Sequence, residues 1–348
     1  MLIAAFLLLI FANIVNHSKG ISQNVKIAFL VLIYIWFILI FSSRGTSVPD
    51  TVGYIKYYYA NGKNDVLEYL FTWMCRTANS IGLSFNGFLF IFQIVLFSIW
   101  FYTTRKYFTD IHFVFLVFIP FMGIYNFGII IRAAMGLCLC YYAIMYLLHN
   151  KSLKGYLIYY GIVTIAVFFQ QSMIAFYILP LYVFKNYNSL VLGLVLVISI
   201  FIPLVDIQHL IANVIEFYVK FFSSNKFLSY TRIHAKFNIH GIYSMTMIKY
   251  WIMAVIFIFL RTNIVTRIDV YNCFLNLYIT GVLLITLTYF ISAGNRLAYM
   301  FFFFEFALVG ILYENSNIPR KIVFLGAIAL CLLNYVNLVS AVPSMLTY

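Results

Sequence analysis

The chain is a succession of apolar runs punctuated by short basic links, near residues 1–16, 27–43, 85–104, 112–131, 133–149, 155–171, 173–184, 189–205, 246–260, 270–291, 297–313 and 321–340. About 20 apolar residues cross a hydrocarbon core of about 30 Å, and in lipid every backbone N–H and C=O has to be paired within the protein. Bundled helices satisfy both conditions. A β-barrel does not fit, because its strands alternate polar and apolar residues. With 65% hydrophobic and 9% charged residues over 348 positions, the apolar surface also exceeds what a water-soluble fold hides, since such folds carry about 25% charged residues. The sequence predicts an all-α, polytopic transmembrane helical bundle of about 11–12 membrane segments, a single integral membrane domain over 1–348. Segments 1–16 and 173–184 are short for a full crossing. The polar Gln170-Gln171-Ser172 before the second marks a mid-membrane kink or a tight outer turn. Met1 to Val15 has no leading positive charge and no small-residue cleavage pattern, and reads as a retained first span.

The formal charge of +13 does not point to nucleic acid, because no Lys/Arg run of the binding kind occurs. The basic residues instead set topology. Lys19, Lys26, Arg105, Lys106, Lys151, Lys154, Lys185, Arg261, Arg267, Arg320 and Lys321 all fall on one face, which the positive-inside rule makes cytoplasmic. Both termini are then expected outside, with 44–84 and 206–245 as two longer outer loops. Each loop carries an expected interfacial helix, Val66–Thr77 and Ile207–Phe222, with apolar residues at helical spacing. The five cysteines, Cys75, Cys138, Cys140, Cys273 and Cys331, form no C-x-x-C pair and read as small core residues.

Three arginines stand at the outer ends of apolar segments, against the charge rule: Arg44, Arg132 and Arg296. A guanidinium costs several kcal/mol in or near hydrocarbon and persists there with a partner; its planar fork suits phosphate oxygens. A shared anion, such as a lipid pyrophosphate, accounts for all three, whereas snorkelling to headgroups or a local carboxylate accounts for any one alone. Arg132 has almost no local polar company, so its partner is expected from elsewhere in the bundle or from a ligand. Asp50 precedes Tyr54, Tyr57 and Tyr58 at helical spacing, which suits sugar handling by a carboxylate and aromatic faces, or else an N-cap and interfacial anchors. Gln170, Gln171 and Ser172 offer amides and a hydroxyl to a glycan, or form a polar turn. His209, His234 and His240 read as a base or as solvated surface. Glu305 is the acid buried mid-span, a functional candidate unless it pairs with a hydroxyl or amide of another span. No nucleotide-phosphate loop, metal-ligand cluster or serine-hydrolase elbow is present, which favours a substrate already activated on lipid.

Together these residues resemble the EpsG-like branch of the Wzy-type polysaccharide polymerases. The match rests on Pro49-Asp50 with Tyr54 and Tyr57 or Tyr58; Arg132 with Ala133 and Ala134; Phe168 to Met173; and Asn295-Arg296 with Tyr299-Met300-Phe301. One departure stands out: Gln170 occupies the position of the family's histidine, and an amide accepts no proton at neutral pH. The resemblance implies a GT-C-like glycosyltransferase architecture and a polymerase of polyprenyl-pyrophosphate-linked repeat units. Its expected setting is the outer face of a bacterial inner membrane, with O-antigen, capsule or exopolysaccharide as product. Asp50, Arg132 and Arg296 are the implied catalytic residues; Arg44, Tyr54, Tyr57, Tyr58, Gln170, Gln171, Ser172, Tyr299 and His240 are the implied substrate contacts. The expectation includes no metal and no cofactor, since guanidinium groups supply the positive charge. The implied partners are lipid-linked donor and acceptor, membrane lipid and a chain-length regulator protein. A lipid-linked oligosaccharide flippase and a glycan-modifying membrane O-acyltransferase are the alternatives. A flippase should show paired sequence halves, and an acyltransferase a histidine deep in the membrane.

Overall fold

A computed structural model describes residues 2–60, 68–204, 244–288 and 292–341, and every regular element among them is helical. His209, His234, His240 and the helix expected over Ile207–Phe222 lie outside the described residues. The chain divides into two compact units, Met1–Pro180 with Val309–Tyr348, and Leu181–Leu308.

Unit 1 opens with α1 (Leu2–His17), α2 (Gln23–Ser42), α3 (Thr51–Tyr59), α4 (Tyr69–Ser80) and α5 (Phe85–Tyr107). It continues with α6 (Ile111–Phe118), a π-helical stretch (Ile119–Ile129), α7 (Ile131–His149), α8 (Leu153–Phe169) and a 3-10 run (Gln171–Tyr177). Helices in lipid gain little from burying apolar surface against each other, so close packing and hydrogen bonds decide their association. Aromatic rings knit α2, α5 and the π-helical stretch together: Phe41 stacks on Phe97 at 5.8 Å and Phe97 meets Phe127 edge-on at 4.7 Å. Trp100 stacks on Phe118 of α6 at 4.4 Å. Small residues set other contacts. A Cβ on Gly136 of α7 would lie 2.8 Å from Met173 Cγ, so the 3-10 run sits directly on α7 there.

Pro120 lacks an N–H and crowds the preceding turn, and the helix around it bends by 70° between Ile111–Phe118 and Met122–Ile129. The carbonyls at the end of the widened stretch find side-chain donors. Gln93 Nε2 donates to Phe127 O at 2.7 Å, and Arg44 Nη1 donates to Gly128 O at 2.9 Å. At the turn after α8, Tyr159 Oη donates to Phe176 O at 2.7 Å and Tyr160 stacks on Tyr177 at 5.9 Å. The chain therefore reverses at Gln170-Gln171-Ser172, the tight turn rather than the kink. Polar contacts tie another part of unit 1: His17 Nε2 lies 3.1 Å from Asp110 Oδ2, and Glu314 Oε1 accepts from the N–H groups of Thr109 and Asp110, each at 2.7 Å.

Unit 2 contains α9 (Ser189–Phe201), α10 (Met245–Leu260), α11 (Ile268–Leu287), α12 (Ser292–Phe302) and the start of α13 (Glu305–Asn315). The central helix, α11, packs against α9, α10 and α12. Gly281 makes room for Phe302, which stacks flat on Tyr250 at 3.6 Å. Trp251 Nε1 donates to Ser199 Oγ at 3.1 Å, joining α10 to α9. From Val309 onward α13 belongs to unit 1, as does α14 (Arg320–Ala341).

The protein is an all-α polytopic membrane protein, and each predicted segment falls on a helix. Among the described residues six helices are long and apolar enough to cross, or seven with the bent pair taken as one span. Phe6–His17, Leu153–Phe169, Gln171–Leu181 and Ser189–Leu204 are apolar but shorter. Even a 17-residue helix rises only about 25 Å.

Candidate functional site

The site in unit 1 starts from two arginines brought to one ring. Arg44 follows α2, is 5% exposed, and caps the C-terminal carbonyls of the π-helical stretch. The partial negative charge of those carbonyls stabilises a cation. Arg132 lies in the first turn of α7, just past the same bend. Both guanidinium groups lie over Tyr54 of α3, with the Arg44 and Arg132 carbons 5.3 and 5.7 Å from the ring centroid. Such cation–π contacts contribute about 0.5–2 kcal/mol each. Arg132 Nε also donates to Tyr54 Oη at 3.4 Å.

Arg132 has a carboxylate partner from outside its own helix. Its Nη1 pairs with Glu68 Oε2, and the two side chains are 20% and 10% exposed. Glu68 is the residue that enters α4, 64 positions earlier in the chain. α4 presents Phe71, Thr72, Cys75 and Ala78 to the interior and leaves Tyr69 and Trp73 outside, as an interfacial helix does. Phe71 lies 5.7 Å from Tyr54, so one aromatic pair holds the two loop helices over the arginines. Burial pushes the Cys75 thiol up to about 12, against the lowering effect of the nearby Arg132 charge.

The structure rearranges the Asp50–tyrosine row. Asp50 has φ 64°, in the left-handed region, makes no side-chain cap bond and is exposed. Asp50 is the residue before α3, and its carbonyl accepts from the Tyr54 N–H at 3.0 Å, while its left-handed backbone departs from the helical period. Tyr54, Tyr57 and Tyr58 point inward and are buried. Tyr57 Oη hydrogen-bonds Thr72 Oγ1 at 2.5 Å, and Tyr58 Oη donates to Leu83 O at 2.7 Å. Tyr58 is packed against Phe85 and Phe88, and burial raises its phenol above the ordinary range. These three rings build the support of the arginines rather than an open platform for sugar.

The Gln170 turn reaches the same end of unit 1. Phe168 lies 6.4 Å from Tyr69 of α4, Phe169 lies 6.4 Å from Phe92 of α5, and Met173 covers Gly136, one turn beyond Arg132. Gln171 is exposed, Gln170 half-buried, and the Ser172 hydroxyl is shielded with no hydrogen bond to the described residues. In unit 2, Arg296 is exposed on α12, one turn before Tyr299, whose ring lies 6.2 Å from Tyr250. Glu305 is buried at the start of α13, beside the Tyr278 hydroxyl of α11.

The EpsG family sequence model matches residues 25–348. The chain belongs to the EpsG family. This is the family of Wzy-type polymerase-like proteins, so the EpsG chain is a membrane protein of polysaccharide biosynthesis. No curated protein and no solved structure matches it.

Two EpsG residues were not singled out from sequence. Glu68 reads there as one more polar residue on an interfacial helix, and nothing local pairs it with Arg132. Lys249 is 7% exposed near the start of α10, with Nζ 4.5 Å from the Tyr250 ring centroid. Its signal was a lysine inside the apolar segment 246–260, at the end where the charge rule leaves Arg296 unexplained as well.

Proposed function

We propose that this protein polymerises polyprenyl-pyrophosphate-linked repeat units at the outer face of a bacterial inner membrane. The supporting observation is the convergence of Arg44 and Arg132 on Tyr54 at the ends of apolar segments. Two guanidinium groups held together in a low-dielectric setting favour a dianionic ligand, and a diphosphate leaving group develops negative charge as the glycosidic bond to it breaks. In this reading the non-reducing-end hydroxyl of one lipid-linked repeat attacks the anomeric carbon of the chain on a second lipid, and the lipid diphosphate departs against the arginines. Asp50, exposed beside α3, orients the acceptor, and the turn at Gln170-Gln171-Ser172 holds sugar. Arg296 in unit 2 is a separate proposed phosphate contact.

Charge reversal by Arg132→Glu is expected to remove long-chain polysaccharide and leave single-repeat material on gels of the cell surface. Arg132→Lys keeps the charge but loses the fork, and is expected to give shortened chains. Normal chain lengths in both variants, expressed at the wild-type level, overturn the reading.

A further inference from the structure

We propose that Glu68 is the base of the transfer, held on Arg132 until a diphosphate takes its place. This rests on the reading that Arg44 and Arg132 grip the diphosphate. The family position at which a histidine is expected carries Gln170, which accepts no proton at neutral pH. Glu68 is a carboxylate in direct contact with Arg132 of the arginine pair, mostly buried and paired through Oε2 to Arg132 Nη1. It sits where α4 begins, next to Tyr69, and Tyr69 in turn lies against Phe168 of the turn that carries Gln170. Glu68 thus stands on Arg132, and its neighbour Tyr69 reaches the polar turn assigned to sugar.

An incoming diphosphate and the Glu68 carboxylate compete for the same guanidinium. When the diphosphate engages Arg132, Glu68 is released beside it, at the reacting end of the substrate. The acceptor hydroxyl then gives its proton to a Glu68 oxygen while its oxygen bonds to the anomeric carbon. The bond from that carbon to the diphosphate oxygen breaks, and its electron pair leaves with the diphosphate, which Arg44 and Arg132 hold. Glu68 afterwards passes its proton to water and returns to Arg132 as the diphosphate departs. The exchange makes the base available only in a loaded site.

The test uses the full-length protein in detergent, with farnesyl diphosphate as the binding probe and lipid-linked repeat units from the same strain for elongation. Glu68→Gln is expected to bind farnesyl diphosphate about threefold or more tightly, because the internal competitor is removed. The same variant should elongate at least about 100-fold more slowly, the usual loss for a proton-transfer group. Glu68→Ala should regain part of its activity in added formate, and more per bound carboxylate in the more basic acetate, a Brønsted dependence that a structural ion pair does not give. Glu68→Asp keeps a carboxylate and covers the case in which the other variants fold poorly; it is expected to retain measurable elongation. Elongation by Glu68→Gln within threefold of wild type overturns the proposal. So does weakened binding of the probe by Glu68→Gln together with no formate rescue of Glu68→Ala. Unchanged probe binding in Arg132→Gln instead overturns the diphosphate grip itself, and the base assignment with it.

Discussion

Tyr54 is the residue on which the arginine pair depends, and its ring and hydroxyl make separable contributions. The hydroxyl accepts from Arg132 Nε at a long 3.4 Å, whereas the ring underlies both guanidinium groups. Tyr54→Phe is expected to change stability by about 0.5 kcal/mol, and Tyr54→Leu to lower it by about 1–3 kcal/mol with weakened farnesyl diphosphate binding. Thermal unfolding in detergent, with a binding titration, checks both. Cys75 gives a second measurement. Its thiol is held protonated up to about pH 12, so maleimide at pH 8 should leave it unmodified in the folded protein and label it in denaturant. The sign for stability follows. Above the ordinary thiol range the unfolded chain loses a proton that the folded chain keeps, so Cys75 lowers stability as pH rises toward 12.

Among the elements, the bend at Pro120 and the turn before α8 carry the clearest consequences. Gln93 and Arg44 satisfy the carbonyls released at the end of the widened stretch. Replacing Gln93 by Leu keeps the volume but removes the donor to Phe127 O, at an expected cost of about 1–3 kcal/mol. The α7–α8 turn is tighter still. Ser152 Oγ accepts from the Gly155 N–H, and a Cβ on Gly155 would run into the Asn150 carbonyl. Gly155→Ala is therefore expected to lower the midpoint of thermal unfolding by several degrees, through about 1–3 kcal/mol of overpacking. Neither effect was readable in the chain. Pro120 announces a break, but the donors that repair it come from residues 27 and 76 positions before it.

At the scale of the molecule, hydropathy located the apolar helical segments, because a lipid-spanning backbone has to pair its own N–H and C=O groups, whereas α3 and α4 lie between the apolar runs. The odd placement of Arg44 and Arg132 was legible as a cost that needed compensation; the compensation by Tyr54 and Glu68 was not, being made between segments far apart in sequence. At Asp50 a left-handed residue interrupts the helical period that the spacing of the row implied, a local feature of the backbone. Orientation has its own test. All five native cysteines are buried, so Arg296→Cys adds one reactive thiol on exposed α12, and a membrane-impermeant maleimide should label it in intact cells with a permeabilised outer layer. Labelling only after the inner membrane is opened would overturn the proposed outer-face orientation.

The sharing of Tyr54 also bears on how the protein is made. Positive charges this near one another ordinarily repel during insertion, and a translocating chain has no substrate to neutralise them. The Tyr54 face, together with the Glu68 carboxylate on Arg132, supplies a permanent counterweight from within the same polypeptide. The arginine pair can thus assemble in a newly inserted chain and wait there, without borrowing an anion from the surroundings.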